Sequence, residues 1–418
     1  MKCFQIFYMN IILIFSKIIL KFSEYENKSY LKSDFNFLKD YFENTSFYTN
    51  ITIGTPKQII PSYIYTENSN FYIDKKNKKD YFQYKKSTSY KKLQNESKYI
   101  SDQFSQGILS SDILYLDSNN IKNFNFILTT CGSRFKFTKL SAIGLKIKNI
   151  SYNFINQLKQ NNIINSGIFT IKFNEKNTNE GEIIIGDYPH KFDPIYKNKK
   201  FNFDKVILKE TLFYWNLIFD EIYTKNNKNL IKNINIGITL DFNGFFGDKI
   251  YHDYIYDNFF KKLISEKKCF KNFDDDYKIY YYYCNEDSNI EKKFENIYFK
   301  SKKLDYIFEL NFKDVFKIIN NKLYFLIVFS NNIKKDWVLG SPFLKKYQII
   351  FNQEESIIGF YDDKIKLQNG ILIITGILFI IMIILFIIQY CKVRDREVNR
   401  RKYGQKENEQ ELNYIETI

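Results

Sequence analysis

Two segments of the chain place a carboxylate just after a β-branched run, where a strand would give way to a turn. The first reads Ile64-Tyr65-Thr66-Glu67-Asn68, and the second reads Ile238-Thr239-Leu240-Asp241-Phe242-Asn243-Gly244. Carboxylates accept and donate protons in general acid–base chemistry. Asp241, shortly before Asn243-Gly244, is also an ordinary turn residue. Residue type alone therefore leaves a catalytic and a structural interpretation open.

Metal and nucleic-acid chemistry are disfavoured. The only histidines are His190 and His252, and no Cys–His cluster accompanies them. This composition argues against a zinc site, and we expect neither a metal nor a cofactor. The formal net charge is +15, but the lysines are scattered rather than gathered into one basic face, so we expect no nucleic-acid partner.

The segments around the two turns have the pattern of an all-β protein. Short β-branched and aromatic runs alternate with Asn, Gly, Lys and Asp turns, which is typical of a sandwich or barrel. The predicted strands include residues 47–53, 108–116, 168–173, 183–185, 213–222 and 323–329. Helical periodicity is confined to residues 155–160 and 249–265. The two turn segments are the only parts of the sequence that resemble each other, which favours a two-lobed, duplicated fold.

An ordered set of motifs between residues 41 and 363 resembles the pepsin-like aspartic proteases (peptidase A1). The motifs are Ile53-Gly54-Thr55-Pro56, a flap-like segment at 99–112, Ala142-Ile143-Gly144-Leu145, Tyr214-Trp215, and Trp337-Val338-Leu339-Gly340-Ser341-Pro342. The resemblance implies a bilobal, mainly β acid-protease fold with a few short helices. It assigns residues 41–200 to the N-terminal lobe and 201–365 to the C-terminal lobe.

The resemblance also implies a degenerate active site. In that family each lobe supplies an Asp-Thr/Ser-Gly hinge, and the two aspartates share a proton and hold the attacking water. Tyr65 stands at the first Asp position, and Asp241 is taken as the surviving second Asp. Glu67 and Asn243 then replace the hinge glycines. A phenol with an ordinary pKa near about 10 stays neutral and does not replace a carboxylate.

The hinge and the flap depart from the family in two further respects. Thr66 keeps its hydroxyl, but the resemblance pairs it with Phe242, which has none. The flap-like segment offers Tyr99, Ser101 and Asp102 as candidate cleft residues, but Tyr99-Ile100-Ser101-Asp102 lacks the glycines of the family's hairpin tip.

The two ends of the chain predict a single-pass membrane protein. Residues 1–22 resemble a signal peptide, and residues 23–40 a leader or short pro-segment. Residues 371–388 carry no charge, and a run of this length spans a bilayer core. We expect a transmembrane helix at 370–390 and a basic cytoplasmic tail at 391–418, which is a type I orientation with a lumenal or extracellular ectodomain.

Cysteines and glycosylation acceptors fit such an ectodomain. Cys269 and Cys284 flank a short segment and predict a disulfide, whereas Cys131 has no assigned partner. Acceptor sequons stand at Asn27, Asn44, Asn50, Asn95 and Asn149.

Three functions follow, in order of preference. The first is a membrane-anchored pepsin-like protein, inactive or strongly impaired, whose cleft still binds an extended peptide or protein. The second is an active aspartic-type endopeptidase that uses Asp241 with a second, unidentified acid. The third is a surface receptor or adhesion glycoprotein on the same fold. In each case we expect a monomer.

Overall fold

The computed structural model describes residues 17–25, 37–43, 46–74, 82–93, 100–101, 106–129, 141–146, 152–207, 215–228, 230–286, 288–330, 336–362 and 364–415. Several residues singled out above lie outside these ranges, namely Asn27, Asn44, Asn95, Asn149, Tyr99, Asp102, Cys131 and Tyr214.

Strands dominate the part of the chain before residue 363. They are β1 (Ile18–Tyr25), β2 (Ser46–Ile53), β3 (Gln58–Tyr65), β4 (Phe71–Asp74), β5 (Lys91–Lys92), β6 (Ile100–Ser101), β7 (Gln106–Leu116), β8 (Asn119–Thr129), β9 (Ser141–Gly144), β10 (Ile168–Phe173), β11 (Glu180–Ile185), β12 (Lys200–Lys205), β13 (Asn216–Thr224), β14 (Ile231–Ile238), β15 (Phe245–Gly247), β16 (Cys269–Asp274), β17 (Ile279–Asn285), β18 (Ile297–Ser301), β19 (Tyr306–Leu310), β20 (Phe316–Ile319), β21 (Lys322–Phe325), β22 (Ile327–Ser330), β23 (Asp336–Leu339), β24 (Ile349–Asn352) and β25 (Ile357–Asp362).

The helices are short, apart from the last one. They are α1 (Phe154–Gln160), α2 (Lys249–Ile255), α3 (Lys261–Ser265), α4 (Ser288–Lys293), α5 (Phe312–Val315), α6 (Ser341–Lys346) and α7 (Lys364–Ile415). Two π-helical segments occur at Phe37–Glu43 and Tyr256–Phe260, and 3₁₀ turns at Tyr84–Lys86, Pro189–Lys191 and Pro194–Tyr196.

Within the described residues the strands form two sheets, one for each lobe. The first sheet has the order β12-β25-β24-β10-β11-β1-β2-β3-β9-β4-β8-β7-β5, with β6 paired to β7. The second has the order β19-β18-β13-β14-β23-β15-β22-β17-β21-β20, with β16 paired to β17. Large apolar side chains fill the core, and Trp215 and Trp337 are fully buried. The mainly β, two-lobed fold confirms the prediction.

The lobe boundary predicted at residue 200 does not hold for three strands. β12, β24 and β25 lie in residues 201–365 almost entirely, yet they extend the sheet of the first lobe through β10. The sequence order gives no sign of this return, because it depends on pairing between residues far apart in the chain.

The structure also places residues 18–22 differently from the predicted signal peptide. They belong to β1, which pairs with β11 on one side and with β2 on the other. Ile18, Leu20 and Phe22 are buried, whereas Lys17 and Lys21 are exposed. This period of two is that of a half-buried strand. The sequence analysis assigned the same apolar run to a signal peptide because its length and hydrophobicity suit both structures.

Cys269 and Cys284 form the predicted disulfide, which joins β16 to β17. Separately, α7 contains the segment Thr375–Arg401, which is long and apolar enough to cross a membrane. This helix agrees with the predicted span at 370–390, and it continues well beyond it.

Candidate functional site

The candidate site lies where the turns of two similar three-strand arrangements meet. In the first lobe β3 runs parallel to β9, and β9 runs antiparallel to β4. In the second lobe β14 runs parallel to β23, and β23 runs antiparallel to β15. The chain turns between the outer strands of each arrangement at residues 66–70 and 239–244. These turns carry the proposed hinge residues Thr66, Glu67, Asp241, Phe242 and Asn243, and Tyr65 is the last residue of β3, directly before the first turn.

Strand pairing fixes which residues of the two turns are equivalent. Phe71 lies opposite Ile143, and Phe245 lies opposite Leu339. The next residues of the inner strands, Gly144 and Gly340, donate to the backbone oxygens of Asn70 and Gly244, at 3.0 Å in both lobes. Phe71 therefore corresponds to Phe245, and Asn70 to Gly244.

Counting back from these anchors corrects the sequence alignment of the hinges. Tyr65 lies six residues before Phe71, and Thr239 lies six residues before Phe245. Tyr65 thus corresponds to Thr239, and Glu67 corresponds to Asp241. The expectation that Tyr65 and Asp241 occupy equivalent places is wrong by two residues, because it aligned the segments on a carboxylate rather than on the strands that flank the turns.

Two glycines let the turns cross closely over the inner strands. A Cβ atom on Gly144 would lie 2.5 Å from the Asn68 oxygen, and one on Gly340 would lie 2.1 Å from the Phe242 oxygen. Both distances are far shorter than any real Cβ contact, so only glycine fits. The expected glycines of the hinge turns are absent, but these two glycines beneath the turns are present.

The carboxylate of Asp241 is bound by the turn of the other lobe. Its Oδ1 accepts from the Thr66 backbone NH at 2.7 Å and from the Thr66 hydroxyl at 3.1 Å. Its Oδ2 accepts from the Glu67 backbone NH at 3.0 Å. Three hydrogen bonds therefore connect one side chain of the second lobe to the backbone and side chain of the first. They hold the two hinge turns against each other.

The Thr66 hydroxyl has a different partner from the one predicted. It lies 2.9 Å from the Thr239 hydroxyl and accepts from the Leu240 backbone NH at 2.9 Å. Thr239 in turn accepts from the Asp241 backbone NH at 3.1 Å. If Thr239 donates to Thr66, then Thr66 is free to donate to Asp241, and every hydroxyl proton of the network has one acceptor. Phe242 is not the mate of Thr66, because the alignment that paired them was shifted.

The electrostatics of the site follow from its burial. Burial raises the pKa of Asp241 from its ordinary value of 3.8 to about 6, and hydrogen bonds from the Thr66 backbone, the Glu67 backbone and the Thr66 hydroxyl oppose that rise. Burial is also the main cause that raises the pKa of Tyr65. Electrostatic repulsion from Asp241 and, to a smaller extent, from Tyr63 raises it further. Tyr65 is therefore a neutral phenol at any physiological pH.

Tyr65 packs within the first lobe. Its ring lies 6.2 Å from the ring of Tyr63 and contacts a small buried cluster of Tyr72, Ile127 and Ala142. This cluster sits on β4, β8 and β9, so the phenol is held by the sheet rather than by the opposing hinge. The residue at this position serves as a packing group.

The remaining hinge residues, Phe242 and Asn243, face apolar and polar neighbours respectively. The Phe242 ring stacks on Phe246 at 4.4 Å and on Phe42 at 4.7 Å. Asn243 is buried and accepts from the Ser341 hydroxyl at 2.7 Å. Both side chains thus contact neighbours other than the Asp241 carboxylate.

Two contributors to the site were missed or understated by the sequence analysis. The π-helical segment Phe37–Glu43, assigned mostly to a leader, packs on the second hinge: a Cβ on Gly244 would collide with the Phe42 ring at 2.0 Å. Trp215, which the sequence analysis used only as part of a motif, donates from Nε1 to the Thr66 backbone oxygen at 3.2 Å. The resemblance between Asn70-Phe71-Tyr72 and Gly244-Phe245-Phe246 was the signal that would have aligned the hinges correctly.

Two other predictions concern metals and the flap. Among the described residues no group of three or more His, Cys, Asp or Glu side chains could hold a metal ion. Ser101 lies in β6, whose backbone pairs with β7 at Gly107 and Gln106. Tyr99 and Asp102 lie outside the described residues, so their role in a flap stays a prediction.

The chain resembles known proteins in sequence and in structure. A family model described as eukaryotic aspartyl protease matches residues 46–362. Among solved structures, the chain is similar to the crystal structure of basic 7S globulin from soybean, with a TM-score of 0.59 over 83% of this chain and 95% of that chain. The sequence identity is 13%, so this similarity shows the fold alone. Among curated proteins, none matches the sequence.

Proposed function

Because this chain belongs to the eukaryotic aspartyl protease family, we propose that it is a membrane-anchored member whose hinge has become a structural clasp and does not hydrolyse peptides. The observation that carries this proposal is the register of the two hinges. The equivalent places in the two lobes hold Tyr65 and Thr239, neither of which carries a carboxylate.

The surroundings of Asp241 support the same conclusion. Hydrolysis by two acids requires one carboxylate to take a proton from water while its protonated partner polarises the carbonyl. The Asp241 oxygens instead accept three hydrogen bonds from Thr66 and Glu67. A carboxylate that binds two backbone NH groups stabilises the turn, and losing it would leave those NH groups buried without acceptors.

Peptide binding without cleavage is the activity we propose for the cleft. Extended peptides bind mainly through backbone hydrogen bonds and side-chain pockets, and neither requires a pair of acids. The family scaffold supports this role, since both crossed-strand arrangements and their glycines, Gly144 and Gly340, are intact. We expect the partner to be an extended peptide or an unfolded protein segment.

The test uses the full chain purified in detergent. We expect no cleavage of a denatured protein at any pH from about 3 to 7, the range in which carboxylates titrate, and measurable binding of a peptide library. Asp241→Asn is the matched variant, and we expect it to leave the binding of peptides unchanged while it weakens the clasp. Cleavage by the wild-type chain that Asp241→Asn abolishes would overturn the proposal.

A second candidate, an active aspartic-type endopeptidase, is favoured by one observation. Glu67 and Asp241 occupy equivalent places, so the two lobes together supply two acidic residues near the interface, and burial raises the pKa of Asp241 to about 6. This function requires Glu67 to be the second acid. Acid-dependent cleavage that is lost in both Asp241→Asn and Glu67→Gln would establish it.

Membrane anchoring and orientation belong to the same proposal. The helix segment Thr375–Arg401 supports a single span, and the basic residues around Arg394 support a cytoplasmic tail. Asn50 is exposed in β2 and available for glycosylation. If glycosidase treatment lowers the mass of the chain and Asn50→Gln reduces that mass difference, the ectodomain faces the lumen. If the chain is unmodified and the C-terminal tail is protected from added protease, the orientation is the opposite one, which would overturn the type I topology.

A further inference from the structure

A partly exposed aromatic cluster lies at the end of β25, the strand that precedes α7 in the chain. We define the aromatic rim as Tyr188, His190, Ile195, Tyr196, Phe201, Phe203 and Tyr361. The Tyr361 ring lies 5.1 Å from Phe201 and 4.9 Å from Tyr196, and its hydroxyl hydrogen-bonds His190. Tyr361 is therefore at the centre of the rim, and it is one residue before the end of the last strand.

Two apolar members of the rim are exposed to solvent, whereas Tyr196 is buried. Ile195 is 65% exposed and Phe203 is 52% exposed. Phe201 lies over Gly359, where a Cβ would approach its ring to 2.5 Å. The backbone of β12, which carries Phe201 and Phe203, is at the end of its sheet within the described residues. An exposed apolar group of this kind on an edge strand marks an interaction surface.

The short connection to the apolar helix identifies the partner. Strand β25 ends at Asp362, α7 begins at Lys364, and its apolar run begins at Ile371. The seven helical residues 364–370 cover roughly 10 Å at about 1.5 Å each. The headgroup layer on one side of a bilayer is itself roughly 5–8 Å thick. The connection between Tyr361 and the apolar part of α7 is therefore only slightly longer than the headgroup layer is thick.

The composition of the rim suits that environment. Tyrosine and other amphipathic aromatic side chains are enriched at the membrane–water interface. The exposed lysines Lys197 and Lys205 flank the rim, and within the described part of the chain neither makes an ion pair. Cations at this height are attracted by anionic lipid headgroups. Lys191 contributes less, because it pairs with Asp187 at 2.8 Å.

We propose that the aromatic rim docks the ectodomain onto the lipid headgroup surface of the membrane that α7 spans. The inference rests on the proposed anchoring and adds a second contact to it. Docking fixes the ectodomain against the bilayer instead of leaving it to swing on a short connection. The occupant is the lipid surface rather than a second copy of this chain.

The test is photo-crosslinking of the full chain in nanodiscs that contain phosphatidylcholine and phosphatidylserine. The variant Phe203→p-benzoylphenylalanine places the crosslinker in the rim. Ile318→p-benzoylphenylalanine is the matched control, because Ile318 is 53% exposed in β20 of the other sheet. We expect a lipid adduct at position 203 in the mass spectrum and its absence at position 318.

Each other outcome has a definite meaning. Crosslinked dimers at position 203, or equal adducts at both positions, would overturn docking on lipid. A chain that enters the nanodisc but forms no adduct at position 203 would do the same while leaving the anchor intact. A chain that fails to enter would overturn the anchor itself. The double variant Ile195→Ser/Phe203→Ser provides a second readout: it should enter the nanodisc but lose the slow amide hydrogen exchange of residues 187–205 that we expect for wild type.

Discussion

The pH dependence of stability tests the role of Asp241 directly. Its pKa is raised in the folded chain from 3.8 to about 6. Between these values the folded state binds more protons than the unfolded state, so the free energy of unfolding falls as pH rises through this window. Each pKa unit corresponds to about 1.36 kcal/mol, which gives about 3 kcal/mol for the whole shift. About 2.4 kcal/mol of this is lost between pH 4 and pH 7, because pH 4 already lies above the unfolded-state pKa.

The perturbation is Asp241→Asn, which removes the titration but retains the size of the side chain. For a domain of this size 1 kcal/mol shifts Tm by roughly 2 °C. We therefore expect wild type to lose about 5 °C relative to the variant on going from pH 4 to pH 7. Fluorescence of the only tryptophans, Trp215 and Trp337, reports the unfolding, and Trp215 senses the hinge through its bond to Thr66.

A second pair of variants acts on the same carboxylate. Thr66→Val removes the hydroxyl that donates to Asp241, so the pKa of Asp241 should rise further and the loss of stability should move to higher pH. Thr66→Ser retains the hydroxyl and should follow the wild-type profile.

A Tm difference between wild type and Asp241→Asn that stays constant from pH 4 to pH 7, or that grows in favour of wild type toward pH 7, would refute this account of the hinge.

Three further predictions concern packing. Gly340→Ala should abolish folding, judged by yield and by tryptophan emission, because its Cβ would lie 2.1 Å from the Phe242 oxygen; Gly376→Ala, with nothing within 4 Å, should leave the yield unchanged. Replacing Cys269 and Cys284 by serine should lower the unfolding free energy by about 3 kcal/mol, as expected for a loop of 15 residues, and an unchanged denaturant midpoint would contradict this. Phe42→Ala should cost about 3–5 kcal/mol, whereas Phe270→Ala, at a partly exposed ring, should cost much less.

The sequence was sufficient for the fold but not for the register of the hinge. Alternating patterns and ordered motifs predicted the strands, the disulfide and the apolar C-terminal helix, since these depend on local composition and spacing. The two hinge segments were misaligned because the comparison matched the aspartate, Asp241, to the position of Tyr65. The true correspondence depends on how the residues around each turn pair with Gly144 and Gly340 of the inner strands. Such pairing joins residues far apart in the chain, and its local trace is the short likeness of Asn70-Phe71-Tyr72 to Gly244-Phe245-Phe246.

The N-terminal segment likewise has a sequence that fits two different structures. Ile18, Leu20 and Phe22 fit both the hydrophobic part of a signal peptide and a half-buried strand, and only the neighbours β11 and β2 decide between them. The packing of Phe37–Glu43 on Gly244 and Phe242 likewise depends on a distant turn. Contacts of this kind set the site, and composition cannot predict them.

The return of β24 and β25 to the sheet of the first lobe has a consequence for biosynthesis. A ribosome makes the chain from its N-terminus. Strand β10 therefore has no β24 to pair with until nearly all residues before α7 have been synthesised. The strands that complete the sheet are followed at once by α7, the helix that would enter the membrane. The strands that close the first sheet and the helix that we propose as the membrane anchor therefore leave the ribosome together. Until then β10 has an unpaired edge, and such edges are prone to aggregation.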